Sequence, residues 1–211
     1  FAAVTDPVTA GLTPSWTKGG DNITGTSDQH DMTSVLVFIR KLLPKARTIG
    51  IPFNPKDDGD TALINKLGSI AAKHGFSIVT TAVEITSNIT TRIQSLVGKV
   101  DAVFILPSKL IAPAMPSIIA ITQRHKIPVI NYAAITTQNH LTLASYTINW
   151  SLLGDLTAGL AVRILKGKSA ASLAPIKPNA DTHQAFISSR RLTALGLTLP
   201  ESLANCECVV K

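Results

Sequence analysis

Between residues 47 and 132, four apolar runs alternate with amphipathic segments, and this alternation constrains the chain more than any other feature. The first run, Thr48-Ile49-Gly50-Ile51-Pro52-Phe53, ends at the turn Asn54-Pro55-Lys56-Asp57-Asp58-Gly59. Leu63, Ile64, Leu67, Ile70 and Ala71 then recur at the spacing of one helix face, and His74-Gly75 stops that helix. A second strand, Phe76-Ser77-Ile78-Val79-Thr80, leads to a helix carrying Ile89, Ile93, Leu96 and Val97, closed by Gly98. The third strand, Ala102-Val103-Phe104-Ile105-Leu106, is wholly apolar, as a strand buried on both faces of a parallel sheet must be. A helix through Ile118, Ile119 and Ile121 precedes the fourth, Pro128-Val129-Ile130-Asn131-Tyr132. Parallel neighbours need crossover connections, so strand–helix alternation of this kind predicts an α/β fold with a doubly wound parallel sheet.

The flanks do not all fit that sheet. Strands are expected at residues 1–4 and 22–26, a helix over 35–43, a strand over 141–148, a long helix over 152–165 and a final helix near 188–195. The simplest arrangement gives them a second lobe, joined by short ordered hinges. Hydrophobic residues make up 45% of the chain and charged residues 16%, which suits packed cores and argues against disorder. The net charge of +7 raises the question of nucleic acid, but Lys18, Lys41, Lys45, Lys73, Lys99, Lys126 and Lys166 are scattered, mostly near helix ends. They read as a solvated surface, and no nucleic-acid partner is expected. No apolar run approaches the ~20 residues of a membrane span.

Catalytic motifs are missing: there is no G-x-G-x-x-G, phosphate-binding loop, G-x-S-x-G or H-E-x-x-H. His30, His74, His125, His140 and His183 lie far apart, and His74 and His125 fall at helix ends. Cys206 and Cys208 read as two incidental thiols in an exposed tail, since C-x-C is not a metal-ligand spacing. Neither an enzyme activity nor a metal or other cofactor is expected.

Phe1-Ala2-Ala3-Val4-Thr5-Asp6-Pro7-Val8, Gly11-Leu12 and Gly20-Asp21-Asn22-Ile23-Thr24-Gly25-Thr26-Ser27-Asp28 open a succession of short segments. Leu42-Leu43-Pro44-Lys45-Ala46-Arg47-Thr48-Ile49-Gly50, Phe53-Asn54-Pro55, Gly98-Lys99-Val100-Asp101-Ala102-Val103 and Arg163-Ile164-Leu165-Lys166-Gly167 continue it. Ala194-Leu195-Gly196-Leu197-Thr198-Leu199-Pro200-Glu201-Ser202-Leu203 closes it. Each segment alone is weak, but their order and spacing are specific. The succession resembles the tryptophan/tyrosine-type substrate-binding family of ABC transporters. The resemblance implies a two-lobed type I periplasmic-binding-protein fold whose lobes are joined by three crossing segments, with a ligand held between them. On that template the first lobe is incomplete: residues 1–27 and 149–211 are its remnant, and residues 28–148 form the second lobe. Because residues 1–4 are an interior strand in the template, a missing upstream segment, or self-association covering that edge, is expected.

Ligands of open parallel sheets sit beyond the carboxyl ends of the strands. The residues expected there are Thr5 and Asp6 after the first strand, Ser27 and Asp28 after the second, and Asn54 after the third. Ser108 follows the central strand, Tyr132 ends the next, and Asn149 ends the returning strand. Asp6 and Asn54 are also natural turn formers, and Ser27 and Asp28 natural helix caps. The family implies an extracytoplasmic protein, periplasmic or membrane-anchored, that binds a small solute and passes it to an ABC permease. An aromatic amino acid is one candidate, although the segment Tyr132-Ala133-Ala134-Ile135-Thr136-Thr137-Gln138 carries no acid to meet its ammonium. A ligand-sensing regulatory domain on the same fold is the alternative.

Overall fold

The computed structural model describes all residues, 1–211, and divides into two compact units. Residues 1–31 and 148–184 make the first; residues 32–147 and 185–211 make the second, so the chain passes between them three times.

The second unit is built on a sheet. Strands β1 (Thr48–Phe53), β2 (Ser77–Ala82), β3 (Ala102–Ile105), β4 (Val129–Asn131), β5 (Ala144–Ile148), β6 (His183–Ser188) and β7 (Val209–Val210) lie in the order β2-β1-β3-β4-β5-β6-β7. Pairing of β1 with β2 and β3, of β3 with β4, of β4 with β5 and of β6 with β7 is parallel, as the alternation predicts for residues 47–132. Side-chain alternation explains the wholly apolar β3. Ala102, Phe104 and Leu106 enter one core with α1 (Met32–Leu42) and Leu67 of α2 (Asp58–Ile70). Val103 and Ile105 enter the other, with Ile89 and Ile93 of α3 (Ile89–Gln94) and Ile118 and Ile119 of α4 (Met115–Arg124). Each such side chain contributes about 1.5–3 kcal/mol relative to exposure.

Local chemistry sets the element ends. Asp57 caps α2 by accepting from the N–H groups of Gly59 and Asp60. After α2, Gly75 takes φ 75°, the left-handed conformation that ends a helix without a Cβ clash. The Arg40 guanidinium fastens this turn, donating to the carbonyls of His74 and Gly75 and lying 3.9 Å from the Phe76 ring centroid.

Several expectations are corrected in this unit. Residues 185–211 pack here rather than with the first unit, because β6 and β7 extend the sheet and Ile187, Leu192, Leu203 and Cys208 join its core. The segment before the final helix, α7 (Ser189–Leu195), is thus a strand, and a five-residue helix α5 (Ala134–Gln138) follows β4. Cys206 and Cys208 are joined as a disulfide, and Cys208 is buried, so they are not free thiols in an exposed tail.

In the first unit the expected strands at residues 1–4 and 22–26 do not form. Ala3 has φ 54°, which breaks an extended run. The two segments still meet: Val4 N–H donates to Thr26 O and Thr26 N–H to Phe1 O, both at 3.2 Å, and the terminal ammonium donates to Thr24 O at 2.8 Å. A Cβ at Gly25 would collide with the Phe1 carbonyl, so glycine permits this close approach. Regular pairing is limited to the parallel bridge Thr26↔Ile176. Helix α6 (Trp150–Leu165) buries Leu153 and Leu160, while Ile164 is 40% exposed.

Candidate functional site

Beside the carboxyl ends of β3 and β4 stands a row of buried polar groups in an otherwise aliphatic sheet: Ser108 beyond β3, Asn131 at the end of β4 and Ser145, the second residue of β5. Parallel register sets Ile105 opposite Asn131 and Asn131 opposite Ser145, so these three share one face. Asn131 is 1% exposed, Ser145 0%, and Ser108, three residues beyond the end of β3, 2%. The Ser108 hydroxyl, the Ser145 hydroxyl and the Asn131 amide oxygen make no hydrogen bond. Native cores satisfy nearly all buried polar groups, and an orphan costs about 1–3 kcal/mol. Three orphans on β4, β5 and the loop after β3 are therefore a feature that needs a reason, and the carboxyl ends of strands such as β3 and β4 are where ligands of a parallel sheet sit.

Of the residues singled out in the sequence, Ser108 belongs to this row, and Tyr132 directly follows Asn131. Asn54 stands at the end of β1, where its Oδ1 accepts from Lys56 N–H and its N–H donates to Asp60 Oδ2. The structure thus gives Asn54 the turn-forming role its position before Pro55 suggests.

In the first unit, Thr5, Ser27 and Asp28 come together. Thr5 Oγ1 donates to Asp28 Oδ1 at 2.8 Å, and Ser27 Oγ donates to Thr5 O at 2.9 Å while accepting from Gln29 N–H. Asp6 Oδ1 accepts from the N–H groups of Val8 and Thr9, and Asn149 Oδ1 caps α6 through Leu152 N–H. No strand precedes Thr5 and Asp6; they follow the irregular segment 1–4.

Asn131 and Ser145 escaped the sequence reading, although a signal was present. Asn131 is the polar exception in a run otherwise fit for a buried strand, where a polar residue must be bonded or used, whereas Ser145 shares its run with Thr142 and Thr147 and stands out less.

One more buried pair lies in the first unit. The His30 and His183 rings meet edge to face at 5.7 Å. His183 Nδ1 stands 2.7 Å from Asn179 O, which can only accept, so Nδ1 carries the proton and Nε2 accepts from Asp31 N–H at 3.3 Å. Burial, together with the neighbouring His183, pushes the His30 pKa down to about 4. Burial also lowers that of His183, against the opposing pull of the Asn179 carbonyl and Asp31. Nowhere do three or more His, Cys, Asp or Glu gather as a metal would need.

Comparison with known proteins decides the family. The profile of the ABC transporter substrate binding proteins matches residues 1–210. The chain belongs to that family. It is 32% identical over 197 residues to the tyrosine-binding protein of Clostridioides difficile, covering 93% of this chain but 56% of that one, so it spans about half the relative's length. A ligand-free, open substrate binding protein with adhesive properties from Clostridium difficile superposes with a TM-score of 0.85 at 32% identity, over 99% of this chain and 68% of that one. An ABC domain from Streptococcus pneumonia, solved in complex with L-Trp, gives 0.77 at 30% identity, over 96% of this chain and 68% of that one. The α/β architecture is that of the periplasmic binding proteins, here as part of the full fold, and members of the family are solute binders rather than enzymes.

Proposed function

We propose that this chain is the extracytoplasmic solute-binding part of an ABC importer, capturing an aromatic amino acid or a close analogue and delivering it to a membrane permease. The observation that carries the reading is the row of unbonded buried polar groups, Ser108, Asn131 and Ser145, beside apolar Ile105. Such a row suits a solute with an apolar body and a few polar atoms, and it has no nucleophile–base pair with which to react. The family supplies solute binding, and the tyrosine- and tryptophan-binding relatives supply the ligand class. Within the first unit, the linked Thr5, Ser27 and Asp28 are further candidate contacts, with Asp28 an acid able to meet an ammonium. Asp6 and Asn54 act first in their own turns, and Asn149 as the cap of α6.

Isothermal titration of the chain with L-tyrosine and L-tryptophan tests the proposal. Saturable one-to-one binding of either is expected; no heat with any of the twenty amino acids would refute it.

A further inference from the structure

The hydrogen-bond network around Asn131 fixes which way its amide faces. Thr136 Oγ1 lies 3.2 Å from the Ala133 carbonyl, a group that only accepts, so the single Thr136 hydroxyl proton is committed there. Toward its other two neighbours Thr136 Oγ1 must then accept. It receives Asn131 Nδ2 at 2.9 Å and the Thr142 hydroxyl at 3.0 Å. Thr142, having given its proton to Thr136, receives that of Thr137 at 2.9 Å. Thr137 and Thr142 are 0% and 1% exposed, so water does not compete with this relay. Turning the Asn131 amide over would set its oxygen against Thr136 Oγ1 with no proton between them.

Asn131 Oδ1 is consequently held as an unbonded acceptor, buried, with its donor side already engaged. We infer that Asn131 Oδ1 receives a hydrogen-bond donor of the solute, an N–H or O–H, and that Thr136, backed by Thr142 and Thr137, is the positioning residue that keeps it an acceptor. A carboxylate or carbonyl oxygen placed there would face a second set of lone pairs, so the solute's acid group lies elsewhere. This assignment rests on the solute-binding reading above and adds to it the polarity of one contact.

Calorimetric titration of the whole chain with L-tyrosine, tyramine, 3-(4-hydroxyphenyl)propanoate and L-phenylalanine tests it. Tyramine lacks the carboxylate, the propanoate lacks the ammonium, and phenylalanine lacks the phenol. Asn131→Leu is expected to weaken L-tyrosine and tyramine by the same factor, about tenfold to a hundredfold for one lost buried hydrogen bond. That penalty is expected to vanish with whichever of the other two analogues lacks the donor. Thr136→Val loses about tenfold while Thr136→Ser retains binding. The inference is overturned if the Asn131→Leu penalty disappears with tyramine, since Asn131 would then serve the carboxylate. Wild-type affinity in Thr136→Val overturns it as well, and that variant with Thr136→Ser covers the case in which leucine is not tolerated at position 131. Should wild type bind while Asn131→Leu binds equally, this inference fails and the solute-binding reading stands. Absence of binding by wild type to all four probes defeats both.

Discussion

In the second unit the buried set is mostly aliphatic and aromatic, with Ile49, Ile51, Leu67, Val103, Phe104, Ile105, Ile118 and Ile130 far outnumbering polar exceptions such as Asn131 and Ser145. In the first it is largely polar: Thr13, Thr24, Thr26, Ser27, Thr182 and His183 accompany Leu153, Leu160 and Leu173. Thr24 Oγ1 donates to Leu173 O, and Thr26 meets the Thr157 hydroxyl at 2.6 Å. The second unit is thus stabilised by non-directional burial, which tolerates small shifts. The first depends on hydrogen bonds whose donors and protonation states must be right. The two regions should therefore fail under different insults.

Truncation in the sheet should produce the largest effect. Phe104→Ala removes a side chain 2% exposed at the centre of β3, and a loss of about 3–5 kcal/mol is expected from equilibrium denaturation. A loss no larger than that of Leu160→Ala in α6 would erase the distinction between the units.

Acid should act on the first unit instead. His30 and His183 have folded pKa values below the ordinary one for histidine, so the folded state holds fewer protons than the unfolded chain. The stability tied to them is complete above about pH 6.5 and is lost as pH falls toward the folded value of about 4 for His30. Protonation at His183 Nε2 also sets a proton against Asp31 N–H. At pH 5 a loss of about 2 kcal/mol is expected from His30 alone. Hydrogen exchange read separately over residues 148–184 and 102–131 checks where it falls; uniform loss of protection in both would contradict the assignment.

The smallest effect sharpens the same contrast from the surface. Lys56 and Glu84 form an ion pair at 3.2 Å with side chains 70% and 55% exposed. Exposed pairs of this kind contribute about 0–1 kcal/mol, so Glu84→Gln should leave the unfolding midpoint nearly unchanged.

How far the sequence could be read follows the same division. Strict periodicity of apolar residues marked β1 to β4 and their helices, because burial on both faces of a parallel sheet leaves no other pattern. Periodicity failed at residues 1–4, where an apolar run becomes irregular at Ala3, and at β6, whose sequence His183-Gln184-Ala185-Phe186-Ile187-Ser188 mixes polar and apolar residues as its burial varies. Ser108 was singled out by its place after β3. Asn131 and Ser145 were not, since their importance lies in a cross-strand register and an unmade hydrogen bond, neither of which a linear pattern records.

The central claim is that the polar row of Ser108, Asn131 and Ser145 is kept for a solute and not for the fold. Ser145 tests it best, because its hydroxyl is buried and bonded to nothing in the protein. Removing an unbonded buried hydroxyl relieves a desolvation cost, so Ser145→Ala should melt at or above the wild-type temperature. The deciding measurement is the calorimetric affinity of that variant for L-tyrosine. The account predicts about fivefold to tenfold weaker binding, the loss of one hydrogen bond, in a protein no less stable. Wild-type affinity in Ser145→Ala would contradict it.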